Sequence, residues 1–102
     1  PDALPICDNI IYAATKHALY ALADGLRKAE SAGGVRVATV APGPTDTPML
    51  ENLQAQAGKA YVAEHYVEPV EVARAIRTVV DAGPSTQITD VSVRPRIEVG
   101  DR

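Results

Sequence analysis

The chain has 102 residues, 46% of them hydrophobic, and a formal net charge of −3 without a cluster of basic residues. This length suits one globular domain, and the charge argues against a nucleic-acid partner. No apolar run reaches the length of a membrane span and no secretory signal opens the chain, so we expect no membrane partner. Cys7 is the only cysteine, which predicts a cytoplasmic protein without an internal disulfide.

The first predicted element is a helix from Asn9 to about Ala32. Small and apolar residues recur at helical spacing and form one stripe, which comprises Leu19, Leu22, Ala23 and Leu26. Asp8 or Asn9 is expected to cap the start of the helix, and Gly33 and Gly34 to end it. Because the chain begins with Pro1 and residues 1–9 carry no periodic pattern, we expect it to be the middle of a longer sequence.

A strand, a sharp loop and a flap are predicted next. Residues 35–41 are short and rich in β-branched side chains, which predicts a mostly buried strand of a parallel sheet. Residues 42–44, Pro-Gly-Pro, force a loop at the carboxyl end of this strand. Residues 45–67, called the flap below, are predicted to be mobile and to contain short helical pieces, one of them near residues 48–56.

A second helix and a second strand complete the predicted pattern. The helix begins at Glu68 and Pro69 and ends before Gly83 and Pro84, with an apolar stripe of Val72, Ala73, Ile76, Val79 and Val80. Residues 87–93 alternate and predict a strand with one exposed face. Strands joined through a long helical crossover pair in parallel, and two such strands cannot bury both faces alone. The predicted fold class is therefore α/β, with residues 1–102 forming the C-terminal part of one doubly wound parallel-sheet domain.

Tyr12 and Lys16 lie four residues apart near the start of the first helix, which places them on one face at roughly 6 Å. A phenol is a poor proton donor and acceptor at neutral pH, and a neighbouring positive charge stabilises its phenolate form. The pair therefore predicts a tyrosine general acid/base. A surface tyrosine beside a solvated lysine is the alternative that this spacing alone leaves open.

The loop formed by residues 42–47 lies where ligands bind in open parallel sheets, beyond the carboxyl end of a strand. Gly43 lets the backbone approach a flat ring closely, and Thr45 and Thr47 offer hydroxyl groups for recognition of an amide. A rigid turn that merely ends the strand is the alternative.

The order and spacing of these motifs resemble the classical short-chain dehydrogenase/reductases. The resemblance covers nearly the whole chain and rests on the segments 12–16, 35–41, 42–47, 72–76 and 88–91. It implies a Rossmann-like domain, NAD or NADP as cofactor, and a small-molecule alcohol or carbonyl substrate interconverted by hydride transfer.

The resemblance also implies roles for individual residues. Tyr12 would be the catalytic acid or base, and Lys16 would bind the nicotinamide ribose hydroxyls and stabilise the phenolate of Tyr12. The nicotinamide and its carboxamide would be held by Pro42, Gly43, the Thr45 backbone and the Thr47 side chain. The apolar residues of the flap would lie over the substrate or, equally, pack against the second helix: Met49, Leu50 and Leu53.

Three features of the family pattern have no match in these residues: the glycine-rich phosphate loop, the serine upstream of the tyrosine, and the residue that selects NAD or NADP. We therefore expect the 102 residues alone to be inactive, and a non-catalytic remnant or oligomerisation module is the alternative function. The alanine-rich faces of the first helix fit a homodimer or homotetramer, and equally fit packing within one subunit. His17 is expected to be a solvated or interface histidine, and no second histidine or carboxylate stands at metal-ligand spacing from His65, so no metal site is predicted.

Overall fold

The computed structural model describes residues 10–98 of the chain. In these residues the helices and strands are α1 (Ile10–Glu30), β1 (Thr39–Pro42), α2 (Pro48–Gln56), α3 (Pro69–Val80) and β2 (Asp90–Val93). The two strands pair in a parallel two-stranded sheet, which confirms the predicted α/β class. The chain divides into two compact units, Pro1–Thr39 and Val40–Arg102. That all 102 residues belong to one domain stays a prediction.

Helix α1 fills most of the first unit and agrees with the predicted helix. Its predicted cap, Asp8 or Asn9, lies outside the described residues. After Glu30 the chain continues as a short 3₁₀ helix, Ser31–Gly33, and then turns at Gly34. Gly34 has a φ of 82°, and its N–H donates to the Ser31 carbonyl at 3.1 Å. Glycine adopts this left-handed conformation without steric cost, which explains the end of the helical segment.

The three leucines of the predicted α1 stripe are exposed. Leu22 is 65% exposed, and Leu19 and Leu26 are exposed as well. The half-buried positions are instead Ala13, Tyr20, Ala23 and Arg27. Within its described residues, the first unit contains only α1, the 3₁₀ turn and an extended segment, and none of these covers the leucines. Helical spacing identifies an apolar face but does not supply the element that buries it.

Both strands are shorter than predicted. β1 starts at Thr39 rather than at residue 35, and β2 starts at Asp90 rather than at residue 87. A strand extends only as far as its partner offers hydrogen bonds, and here each strand has four residues. β1 is half-buried rather than mostly buried, because a two-stranded sheet cannot cover both of its own faces. The predicted alternation of β2 is confirmed, with Val91 and Val93 half-buried between exposed neighbours.

Helix α3 contacts β2 and follows the predicted start signal, with Pro69 in its first turn. Its half-buried positions are Val72, Ala75 and Val79, so the prediction holds for two of the stripe residues. Ile76 and Val80 are exposed, at 48% and 59%. The helix ends at Val80, where the N–H of the following Asp81 donates to the Arg77 carbonyl at 2.9 Å.

The flap contains the buried core of the second unit. Helix α2 has the predicted bounds, and Gly58, with a φ of 71°, lies just beyond its end. The flap also contains a 3₁₀ turn at Ala63–His65, whose position the sequence analysis did not predict. Tyr66 and Val67, which follow it, are buried, at 9% and 6% exposure. Mobility of the flap stays a prediction, but its last residues are packed. Within residues 10–98, no helix combines the length and apolar character that a membrane span requires.

Candidate active site

Tyr12 and Lys16 are adjacent on α1. The Lys16 Nζ atom lies 5.4 Å from the centroid of the Tyr12 ring, within the range of a cation–π interaction. The α-helix itself produces this proximity, because residues four apart are neighbours on its surface. Tyr12 is 56% exposed. The adjacency that the spacing predicts is present, and the catalytic roles stay predictions.

The side chain of His17, the residue after Lys16, forms a hydrogen bond with the backbone of its own helix. Its Nδ1 atom lies 2.7 Å from the Ala13 carbonyl oxygen. A carbonyl oxygen only accepts hydrogen bonds, so Nδ1 carries the proton and donates it. In the described part of the chain, no three His, Cys, Asp or Glu side chains are grouped as potential metal ligands.

Gly43 continues the strand ladder of the second unit, since its N–H donates to the Val93 carbonyl at 2.7 Å. A Cβ atom added to Gly43 would lie 3.1 Å from Cδ of Pro95, which is a buried residue. The close approach at this glycine is therefore made by Pro95, a residue to which the sequence analysis assigned no role. Gly43, in the 42–47 loop, is thus held against the end of β2.

Thr45 is held by a single bridge to the buried end of the flap. The Val67 N–H donates to the Pro44 carbonyl, and the Asp46 N–H donates to the Val67 carbonyl, both at 2.8 Å. In this parallel bridge the Thr45 N–H and C=O face away from Val67, and neither has a hydrogen bond within residues 10–98. The Thr45 hydroxyl donates to the Gly43 carbonyl at 2.9 Å. The bridge thus leaves one backbone donor and one backbone acceptor of Thr45 available to a ligand.

Thr47 is the N-cap of α2, and its Oγ1 accepts a hydrogen bond from the Leu50 N–H at 3.2 Å. Pro48 in the first turn supports this helix start, because its fixed φ suits the helix and its missing N–H needs no partner. A threonine hydroxyl accepts and donates at the same time. The capping bond therefore fixes the Thr47 side chain and leaves its hydroxyl proton free to reach a carbonyl oxygen.

Two tyrosines of the flap form a cluster that the sequence analysis did not identify. The Tyr61 hydroxyl donates to Oδ1 of Asp46, and the Tyr61 and Tyr66 rings stack with centroids 4.8 Å apart and planes 12° apart. Gln54 Nε2 in turn donates to the Tyr66 hydroxyl at 3.0 Å. The only signal in the sequence is that two of the four tyrosines fall in the flap, and it names no partner for either of them.

The environment of Tyr61 disfavours its ionised form. Partial burial, followed by the hydrogen bond to the Asp46 carboxylate, raises the pKa of Tyr61 to about 12. A tyrosinate there would be poorly solvated and would lie against a negative charge. The Tyr61 hydroxyl therefore remains a hydrogen-bond donor across the neutral range.

Each unit, taken by itself, offers its own set of hydrogen-bonding groups. In the first unit, the Lys16 ammonium offers donors for sugar hydroxyls beside the Tyr12 phenol. In the second unit, the Thr45 backbone and the Thr47 hydroxyl offer two donors and an acceptor, which matches the carbonyl and amino groups of a carboxamide.

Comparisons with known proteins give one consistent family. The model of the short chain dehydrogenase family matches residues 4–58. The chain is 31% identical over 101 residues to dehydrogenase/reductase SDR family member 11 of Bos taurus, covering 93% of this chain and 40% of that protein. It is 30% identical over 91 residues to an uncharacterized oxidoreductase of Staphylococcus epidermidis, covering 89% and 37%. The chain thus spans about two fifths of the length of these curated relatives.

Solved structures agree with the sequence comparisons. A crystal structure described as a short-chain dehydrogenase/reductase from Corynebacterium glutamicum superposes with a TM-score of 0.61 at 50% identity, over 86% of this chain and 38% of that one. A beta-ketoacyl-ACP reductase from Bacteroides thetaiotaomicron superposes with a TM-score of 0.71 at 29% identity, over 84% and 36%. Both neighbours support the partial Rossmann-like fold that the sequence predicts.

Proposed function

Since the chain belongs to the short chain dehydrogenase family, we propose that the natural protein containing it is an NAD(P)-dependent oxidoreductase that interconverts an alcohol and a carbonyl. The observation that carries the proposal is the Tyr12–Lys16 pair, with Nζ 5.4 Å from the phenol ring, inside the segment that matches the family. The relatives named as oxidoreductases and the reductase among the solved structures support the same reaction class.

Tyr12 is the proposed general acid/base. In the reducing direction its hydroxyl gives a proton to the carbonyl oxygen while hydride reaches the carbonyl carbon, and in the oxidising direction the phenolate removes the proton of the alcohol. The exposure of Tyr12 suits this role, because the hydroxyl must reach a substrate oxygen. Lys16 holds its positive charge beside the Tyr12 ring and would bind the ribose hydroxyls through its ammonium protons.

The 42–47 loop is the proposed carboxamide-binding element. The Thr45 N–H would donate to the carboxamide oxygen, the Thr45 carbonyl would accept from its amino group, and the Thr47 hydroxyl would add a second donor. These groups would hold the carboxamide and so set which face of the ring the substrate meets. Bound NAD(P)H supplies the hydride, and the chain supplies orientation and the proton.

The experiment compares wild type with Tyr12→Phe in the full natural protein. NAD(P)H oxidation is followed with a panel of ketones and aldehydes that includes a β-ketoacyl thioester. We expect kcat/KM to fall about 100-fold or more, because the variant lacks the proton donor and the phenyl ring keeps the shape of the site. NAD(P)H fluorescence should still report cofactor binding in the variant. Tyr20→Phe, the same substitution elsewhere on α1, is the matched control and should retain activity.

Undiminished carbonyl reduction by Tyr12→Phe contradicts the proposed role of Tyr12. A wild-type protein that reduces no member of the panel and gives no NAD(P)H binding signal contradicts the oxidoreductase proposal as a whole. That result favours the alternative of a non-catalytic remnant or oligomerisation module of the same fold.

A further inference from the structure

The two threonines of the proposed carboxamide site are enclosed by a closed circuit of contacts. Thr47 caps α2, and α2 carries Gln54, which donates to the Tyr66 hydroxyl at 3.0 Å. Tyr66 stacks on Tyr61, and Tyr61 donates to Asp46, the residue between the two threonines. The circuit therefore starts and ends at the 42–47 loop.

The backbone bridge alone fixes one side of this loop. Two main-chain hydrogen bonds at 2.8 Å join Val67 to Pro44 and Asp46. A change in the backbone torsion angles between Asp46 and Thr47 would still reorient the Thr47 hydroxyl relative to the Thr45 backbone. The hydrogen bond from Tyr61 to the Asp46 side chain restrains this connection, and the stacked rings restrict how far Tyr61 moves.

We propose that the Tyr61–Asp46 hydrogen bond is a latch that fixes the 42–47 loop in the conformation that receives the carboxamide, which makes Tyr61 a positioning residue. The inference rests on the proposed function. Tyr61 contacts no reacting atom in this scheme and acts through Asp46 on the orientation of Thr45 and Thr47.

The donor of the latch, the Tyr61 hydroxyl, stays protonated across the neutral pH range. Tyr61 is half-buried, and the carboxylate of Asp46 favours the protonated phenol as its partner. Removing the Tyr61 hydroxyl leaves the ring and its stack in place, so Tyr61→Phe deletes one hydrogen bond and little else. The loop then samples conformations that do not bind the carboxamide, and the apparent affinity falls in proportion to the competent fraction.

The first measurement uses the natural protein without cofactor. Amide hydrogen exchange of Asp46 and Val67 is compared among wild type, Tyr61→Phe and the control Tyr20→Phe. We expect exchange at both amides to be about fivefold faster in Tyr61→Phe and unchanged in the control. Unchanged exchange in Tyr61→Phe overturns the latch, whatever the outcome of the activity assays.

The second measurement asks whether the latch serves cofactor binding. In Tyr61→Phe the KM for the dinucleotide should rise about fivefold while kcat stays close to that of wild type, because the loop affects binding more than proton transfer. Asp46→Asn should keep a near wild-type KM, since its amide oxygen still accepts the hydrogen bond, whereas Asp46→Ala should resemble Tyr61→Phe. Should Tyr61→Phe fail to fold, the Asn and Ala variants of Asp46 make the same comparison.

A purely structural role predicts a different result. If Tyr61→Phe lowers Tm and leaves the dinucleotide KM unchanged, the positioning inference is overturned. Failure of the proposed function is recognised separately, by full activity in Tyr12→Phe or by absence of dinucleotide binding in wild type.

Discussion

Helix α1 and the segment 42–67 hold their polar side chains in two different ways. On α1, Tyr12 and Lys16 are neighbours within one continuous helix of 21 residues. In the second segment, Asp46 and Tyr61 are separated by 15 positions along the chain and meet only through the fold of the flap. The first arrangement follows from the period of the helix, and the second requires a loop closure and a partner.

The two regions also differ in burial. Several large apolar side chains of α1 are exposed, whereas Tyr66 and Val67 at the end of the flap are buried. Local geometry alone thus maintains the pair on α1, while the geometry of the 42–47 loop depends on packing. Substitutions in the two regions should therefore have unlike effects on stability.

The largest expected difference is between Tyr66→Ala and Leu22→Ala. Tyr66→Ala removes a buried ring, its stack on Tyr61 and its contact with Gln54, and should lower the free energy of unfolding by about 3 kcal/mol. Leu22 is 65% exposed, so Leu22→Ala should change it by about 0.5 kcal/mol or less. Urea denaturation of the 102-residue chain, followed by circular dichroism, measures both. Equal losses would show that the leucine face of α1 is packed and would remove the contrast between the regions.

Substitution of alanine for glycine should change stability in opposite directions in the two regions. At Gly25, inside α1, an added Cβ meets no atom within 4 Å, so Gly25→Ala should stabilise by about 0.5–1 kcal/mol through its helix propensity. At Gly43 the added Cβ lies 3.1 Å from Cδ of the buried Pro95, a ring with little freedom to move, and Gly43→Ala should destabilise by about 1 kcal/mol. Thermal unfolding of the two variants measures these shifts. Two shifts of the same sign would contradict the contact at Pro95.

The titration of Tyr61 is expected to have the smallest effect on the free energy of unfolding at neutral pH. Its pKa is about 12 in the folded chain against an ordinary value of 10.0, so the folded state retains a proton that the unfolded state loses as the pH rises through this interval. The free energy of unfolding should therefore be insensitive to this group below about pH 10 and fall between about pH 10 and pH 12.

In Tyr61→Phe, the fall in the free energy of unfolding that comes from this titration should be absent. In Tyr12→Phe, which changes a tyrosine of α1, it should remain. The measurement is the difference in unfolding free energy between each variant and wild type as a function of pH, with tyrosinate absorbance as a second signal. Parallel profiles for wild type and Tyr61→Phe up to about pH 12 would show that Asp46 and Tyr61 are not joined in solution.

Short-range signals predicted the parts of this fold that depend on adjacent residues. The start of α2 follows from Pro48 in its first turn, and the turn at Gly34 follows from the left-handed conformation that glycine accepts. Strand starts were wrong by a few residues, since the length of a strand is set by its partner. The apolar stripe of α1 lies on the predicted helix, but its leucines are exposed, because spacing carries no information about what covers a face.

For the candidate site, the sequence by itself determined the Tyr12–Lys16 pair, the turn-forming residues of the 42–47 loop and the family to which they point. Only the tertiary structure decided that Val67 and Pro95 contact this loop and that Tyr61 donates to Asp46. The physical reason is the range of the interaction. A contact four residues apart is fixed by one helical turn, whereas a contact across 15 or more residues is selected by the packing that closes the chain between them.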